Sequence, residues 1–245
     1  AAVWAWGTTV ALVCGDSAIW KPSEKTPLTA LAFGKLLQQA AADYEFAPEH
    51  LVQVAIGAAE CGGVIADHPG IAIVSATGSV RMGQDVGVRV QRRFGRAVLE
   101  LGGNNAAIIA PSADIGLALR GTVFAATGTC GQRCTTLRRL IVHDSIRADF
   151  VKRLIATADS LRIGSPLVDD THVGPLIDKA AFDAMQRALD QARAEGGAVH
   201  GGERIEIAGS PDAYYVRPAI VEMPAQSTIV REETFAPILY VLSYS

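Results

Sequence analysis

The sequence predicts an α/β chain in which parallel strands are covered by helices on both faces. Two observations carry this. Strand-like and helical segments alternate as far as Gly103, and the strand-like ones are runs of Val and Ile. In addition, Lys21, Thr77 to Ser79, and Glu100 each fall where a strand-like run ends, the carboxyl edge at which such sheets hold ligands.

The apolar opening, Ala1 to Gly15, is too short to span a bilayer, contains Gly7, Thr8 and Thr9, and has no basic residues before it; it reads as a buried helix. Ser17 to Trp20 is a short strand stopped by Lys21-Pro22. Thr26 followed by Pro27 reads as an N-cap and first helical position, opening a helix with Phe33, Leu36, Leu37, Ala40, Ala41 and Tyr44 on one inward face. Leu51 to Ile56 follows as a strand, Ala58 to Ala66 as a short helix and Ile71 to Val74 as a strand. Ser79 to Phe94 is a helix with Val86, Val90 and Phe94 inward, and Ala97 to Leu99 is a strand. A second α/β block begins after Gly103. Its strands are Ala106 to Ala110, Leu140 to His143, Tyr214 to Glu222 and Pro237 to Leu242. Ser145 to Leu161 and Asp178 to Glu195 are amphipathic helices, the second stopped by Gly196-Gly197. No low-complexity linker separates the blocks, so the boundary near Gly102-Gly103 reads as a tight crossover.

With 245 residues, 49% of them hydrophobic, the chain can bury a large core. A net charge of -3 and a pI near 6.0 give no electrostatic reason to expect nucleic acid or an anionic membrane as partner. The four cysteines form no CxxC pair, which favours a reduced, cytoplasmic protein over a disulfide scaffold. Cys130 and Cys134 lack further ligands nearby, so no metal is expected. The chain begins inside an apolar stretch and ends inside a strand-like run, and it reads as an interior piece of a longer protein.

Two groups carry chemistry. Cys134, in Gly131-Gln-Arg-Cys-Thr-Thr136, is a thiol suited to attack a carbonyl carbon, with Arg133 beside it as a source of positive potential. Glu100, in Leu99-Glu-Leu-Gly-Gly103, is a carboxylate suited to activate water, and its apolar, glycine-flanked setting predicts burial and a raised pKa. Cys130 is assigned no catalytic role. Thr77-Gly-Ser79 opens a helix after a strand, where free amides suit a pyrophosphate; Lys21 and Glu24 suit the hydroxyls of a ribose.

Together these motifs resemble the signature of the aldehyde dehydrogenase superfamily, and the residues around Cys134 are similar to the branch that oxidises α-aminoadipic semialdehyde, or piperideine-6-carboxylate. The resemblance runs from about Val3 to the end, through Trp20-Lys-Pro-Ser-Glu24, Leu99 to Asn105 and Glu232-Glu-Thr-Phe-Ala-Pro237. It implies a partial NAD-binding domain over residues 1–101, lacking its first strand, and a catalytic domain over 102–245, lacking its C-terminal part. It implies that NAD is held by Lys21, Ser23 and Glu24 at the adenosine ribose, by Gly78 and Ser79 at the pyrophosphate, by Leu101 and Gly102, and by Glu233 and Phe235 at the nicotinamide ribose and ring. It implies Cys134 as nucleophile and Glu100 as base. The Cys134 amide is then half of an oxyanion hole, whose second donor is an Asn expected just before Ala1. Arg133 and Trp6 are the substrate contacts, and the full-length enzyme is a homo-oligomer. The departures are Gly7-Thr8 for Trp-Asn, Val80 for Thr, Cys130 for Ala and Ala236 for Gly. The alternatives are an aldehyde dehydrogenase of broad range, a non-catalytic NAD-binding homologue, and a thiol hydrolase, for which His143 and His172 lack a partner motif.

Overall fold

The computed structural model describes residues 2–245, and the chain divides into two compact units, Ala1–Gly102 and Gly103–Ser245.

The first unit runs α1 (Ala2–Val13), β1 (Ala18–Trp20), α2 (Pro27–Ala42), β2 (Val52–Val54), α3 (Ala59–Asp67), β3 (Ile73–Thr77), α4 (Val80–Arg92) and β4 (Arg96–Glu100). β1 lies parallel to β2, with Trp20 opposite Val54, and β3 lies parallel to β4, with Thr77 opposite Glu100. Arg89 on α4 ties that helix to α3 through Asp67 at 2.7 Å, and Arg93 Nε donates to the Ala66 carbonyl at 2.8 Å.

Four expectations for this unit need correction. α1 is a helix, but not a buried one: only Thr8 is buried, and Trp6 is 72% exposed. The helix is apolar all round, so a single face suffices to dock it, with Trp4 stacked on Trp20 at 4.2 Å. In α2 the inner stripe is Ala30, Gly34, Leu37 and Ala41, while Phe33, Leu36, Ala40 and Tyr44 are exposed. Small residues win because the helix lies close to β2: a Cβ on Gly34 would stand 2.8 Å from Val54 Cγ2. Thr26 sits at the N-cap before Pro27, but its side chain makes no capping bond. Phe94 lies beyond α4 at φ 56, 95% exposed. It occupies the left-handed position at which a helix turns back, with the Gly95 amide returning to the Val90 carbonyl at 3.0 Å.

The second unit contains β5 (Asn105–Ile109), α5 (Ile115–Thr127), a 3₁₀ turn (Gly128–Gly131), β6 (Leu137–His143), α6 (Asp144–Asp159), α7 (Lys179–Ala194), β7 (Ala198–His200), β8 (Arg204–Ile205), β9 (Tyr215–Val216), β10 (Ala219–Glu222), α8 (Thr228–Arg231) and β11 (Ile238–Tyr244). Five strands form one sheet in the order β5-β6-β11-β10-β7, parallel except for β7. Both faces are covered. Along β11, Ile238, Tyr240 and Leu242 enter the core that holds Met185 and Leu189 of α7, while Leu239 and Val241 enter the core that holds Phe150 and Leu154 of α6. The expected strand Tyr214 to Glu222 is broken: β9 pairs with β8, and β10 joins the main sheet. Pro218 stands at the break and has no N–H to give a ladder. α5 was not anticipated, although Asp114 caps it by accepting from the Leu117 amide at 2.9 Å.

Candidate active site

In the first unit, two separate pairs of parallel strands carry most of the expected cofactor residues just beyond their carboxyl ends. Gly78 and Ser79 follow β3, Glu100 ends β4, and the Gly78 amide donates to the Glu100 carbonyl at 3.0 Å. Ser79 caps α4 by accepting from the Met82 amide at 3.2 Å. That leaves the first-turn amides of Val80 and Arg81 with no acceptor inside the helix. Leu101 lies over α4 where Gly83 lets it approach: a Cβ there would stand 2.7 Å from Leu101 Cδ1. Lys21 follows β1, its stem beside Gly62 and its Nζ 3.8 Å from Glu24. Ser23 closes the same turn by accepting from the Lys25 amide at 3.2 Å. Glu24, Gly102 and Trp6 are exposed. Glu100 was expected to be buried, and it is exposed. It shares the outward side of β4 with Arg96 and Val98, since alternate residues of a strand face opposite ways.

In the second unit, the chain leaves α5 through three successive residues in the left-handed region: Thr129 at φ 55, Cys130 at φ 54 and Gly131 at φ 67. For a non-glycine residue this costs roughly 1–2 kcal/mol, and it sends two neighbouring thiols opposite ways. Cys130 enters the α7-side core, where burial pushes its thiol up to about 12. Cys134 lies exposed on the following turn. Only glycine serves at 131, because a Cβ there would stand 2.5 Å from the Pro237 nitrogen and would overlap the Ala236 backbone.

The turn carrying Cys134 is held at each peptide. The Arg133 amide donates to Thr136 Oγ1 at 3.1 Å, and the Thr136 amide returns to the Arg133 carbonyl at 3.1 Å. Asn105 Nδ2 donates to the carbonyls of Cys134 at 2.6 Å and Thr136 at 2.9 Å. Arg133 is exposed and folds back over the preceding turn, its Nε 2.6 Å from Thr129 Oγ1.

Arg138 is the group that sequence reading missed. It is 1% exposed, inside a sheet, yet every donor nitrogen has an acceptor. Nε donates to the Gly103 carbonyl at 3.3 Å. Nη1 donates to the carbonyls of Gly131 at 3.3 Å and Thr234 at 3.1 Å. Nη2 donates to the Arg133 carbonyl at 2.9 Å and to Glu233 Oε1 at 3.0 Å. Phe235 lies against the same guanidinium, 5.3 Å from ring centroid to Cζ. One buried cation thus brings Arg133, Glu233 and Phe235 together beside Cys134. The signal in the sequence was partial: Arg138 and Arg139 both interrupt the apolar run Leu137 to Val142, and the fold decides that Arg138 is the buried one.

Glu233 and Phe235 also depend on α8, which precedes them. Asn104 Nδ2 donates to the Val230 carbonyl at 2.7 Å, and the Asn104 carbonyl accepts from Arg139 Nη2 at 2.7 Å. At the other end, the Glu195 carboxylate accepts from the Ser227 hydroxyl and from the Ile229 amide at 3.2 Å. The Ser227 hydroxyl foremost, then the Gln191 amide at 2.9 Å and the Ile229 amide, lower the Glu195 carboxyl from its ordinary value. A depressed folded pKa stabilises above the unfolded value, and that contribution is lost as pH falls through the folded one. The stability difference between wild type and Glu195→Gln is therefore expected to shrink on acidification from about pH 7 to about pH 3. Urea midpoints at the two pH values check this.

Among the described residues, no three His, Cys, Asp or Glu side chains gather as metal ligands, and no helix is long and apolar enough to cross a membrane.

The model of the aldehyde dehydrogenase family matches residues 1–245. The aldehyde dehydrogenase family 7 member A1 of Malus domestica is 40% identical over 99% of the chain and 47% of its own length. The α-aminoadipic semialdehyde dehydrogenase of Bos taurus is 39% identical over 99% of the chain and 44% of its own length. Betaine aldehyde dehydrogenase from Staphylococcus aureus, solved in complex with NAD+, superposes with a TM-score of 0.91 at 29% identity, over 98% of this chain and 47% of that one. The chain spans about half the length of the curated relatives it matches.

Proposed function

The chain belongs to the aldehyde dehydrogenase family, and from that premise we propose that it carries out NAD-dependent oxidation of an aldehyde to a carboxylic acid through Cys134, with α-aminoadipic semialdehyde as substrate. The observation that carries this reading is the exposed Cys134 on a turn pinned at both flanking carbonyls, with Glu233 and Phe235 bound to the same guanidinium.

The donor set fits NAD. Open amides at the start of α4 suit a pyrophosphate, and the carboxylates of Glu24 and Glu233 suit the two ribose diols. Glu233 is 22% exposed on its side chain, with Oε1 given to Arg138 and Oε2 left for a hydroxyl. Phe235, 47% exposed, offers a ring face to the nicotinamide. Ser23, Leu101 and Gly102 complete the cofactor contacts in this reading. When bound, NAD supplies the acceptor for the hydride.

The chain's own residues do the rest. Cys134 Sγ adds to the aldehyde carbon while the Cys134 amide holds the developing oxyanion. With NAD present as acceptor, the C–H of that adduct would leave as hydride while its oxyanion becomes a carbonyl, and the chain would then hold a thioester on Sγ. Glu100 takes a proton from a water whose oxygen attacks that thioester, and the acid departs as the thiol is restored. Arg133 meets the distant carboxylate of the substrate and Trp6 walls its aliphatic middle. The bovine relative's name supports this substrate. The four free thiols suit a reducing compartment, and we place the protein in the cytoplasm.

The test of substrate class is NADH formation from α-aminoadipic semialdehyde against an aliphatic aldehyde of equal length without the carboxylate. Arg133→Met is expected to lower kcat/KM for the first by about tenfold or more and to spare the second. Cofactor choice tests Glu24, which accepts from a 2′-hydroxyl but repels a 2′-phosphate by roughly 1–4 kcal/mol at contact before screening. NAD is expected to be preferred over NADP, and Glu24→Gln to narrow the preference. Equal kcat/KM for the two cofactors in the unaltered chain counts against this placement.

A further inference from the structure

We propose that Arg138 is a positioning residue that aims the Cys134 amide and couples that aim to whatever Glu233 holds. The Arg133 carbonyl and the Cys134 N–H are the two ends of one peptide group, planar and trans, so they point in opposite directions. A donor that fixes the carbonyl therefore fixes the direction of the amide. Arg138 Nη2 is that donor, at 2.9 Å, and the same nitrogen meets Glu233 Oε1 at 3.0 Å. Asn105 fixes the next peptide group through the Cys134 carbonyl at 2.6 Å. The Cys134 Cα is thus a joint between two pinned planes.

The guanidinium suits this role where an ammonium would not. Its donors lie in one rigid plane, and three further carbonyls, those of Gly103, Gly131 and Thr234, hold that plane in place. A displacement of Glu233 must then be shared with the Arg133 carbonyl rather than absorbed by a flexible chain. A charged donor on the carbonyl also polarises the peptide group, which strengthens its N–H as a donor to an oxyanion. The significance for catalysis rests on the proposed function, in which Glu233 takes the nicotinamide ribose; the link between Glu233 and the cysteine turn is a property of the chain without cofactor.

The experiment is hydrogen exchange on the full chain without cofactor, read at residues 131–136. Glu233→Ala is expected to speed exchange there by about threefold or more, as loss of one net hydrogen bond would. Glu233→Gln keeps an oxygen for Arg138 and is expected to recover most of the protection. Unchanged exchange at 131–136 in Glu233→Ala, or a Gln variant as loose as the Ala one, overturns the proposal. If Glu233→Ala does not fold, Arg138→Lys replaces it; that variant gives up the Arg133 carbonyl and is expected to show the same rise, with unchanged exchange again overturning the proposal. A second arm measures alkylation of Cys134 by iodoacetamide, resolved from Cys14 and Cys61 by peptide mass spectrometry. Saturating NAD is expected to change the Cys134 rate in the unaltered chain and to leave it unchanged in Glu233→Ala; a full response in that variant overturns the coupling. Failure of the unaltered chain to bind NAD overturns the proposed function instead, and leaves the cofactor-free arm to decide the role of Arg138.

Discussion

Replacing Cys134 with Ala is expected to lower NADH formation from an aldehyde by about 10⁴-fold or more, since a nucleophile that forms the covalent intermediate has no substitute among its neighbours. Cys130 cannot take over. It lies buried in the α7-side core with its thiol pushed up to about 12, so it is neither accessible nor ionised near neutrality. NAD affinity is expected to hold, because the side chain lost is needed for chemistry and not for cofactor contacts, and the backbone bonds from Asn105 and Arg138 engage carbonyls that Ala retains. Equilibrium binding of NAD to the variant, beside its NADH progress curve, checks both halves. Retained turnover removes Cys134 from the mechanism.

Arg138→Met is expected to destabilise the second unit by about 3–5 kcal/mol, the usual cost of removing one partner of a buried ion pair. Methionine approximates the aliphatic stem but donates nothing. The carbonyls of Gly103, Gly131, Arg133 and Thr234 and the Glu233 carboxylate each lose a donor at once. Phe235 loses the cation against its face. Urea unfolding checks this: the midpoint should fall with little change in slope. A midpoint within error of wild type would mean that the guanidinium is not what holds these segments together.

The α/β class was legible because strand and helix periods differ, and short runs such as Ile238 to Leu242, apolar at consecutive positions and preceded by a proline, favour a strand buried on both faces. The helix faces were less legible. In α2, hydrophobicity favoured Phe33 and Leu36, but the distance to β2 selected Ala30 and Gly34, and no periodicity encodes how close two elements lie. The break at Pro218 was readable from the proline alone; the exposure of Glu100 was not, since it follows from which side of β4 faces outward. At the site, motif spelling singled out Cys134, Glu233 and Phe235 but not what joins them. Arg138 acts through carbonyls of segments far apart in sequence, and backbone acceptors leave no trace in residue identity. The left-handed turn at Thr129 and Cys130 was hidden for the same reason: only Gly131 marks it, and its two partners are residue types that rarely adopt that conformation.

The most direct measurement is a rapid-quench reaction of the Glu100→Gln chain with NAD and α-aminoadipic semialdehyde, reading NADH optically and the Cys134 peptide by mass spectrometry. With the base for the water step removed, acylation should outrun release. A burst of one equivalent of NADH is expected and, in the same time course, an aminoadipoyl thioester on the Cys134 peptide. NADH formed at a steady rate with Cys134 unmodified would contradict the mechanism.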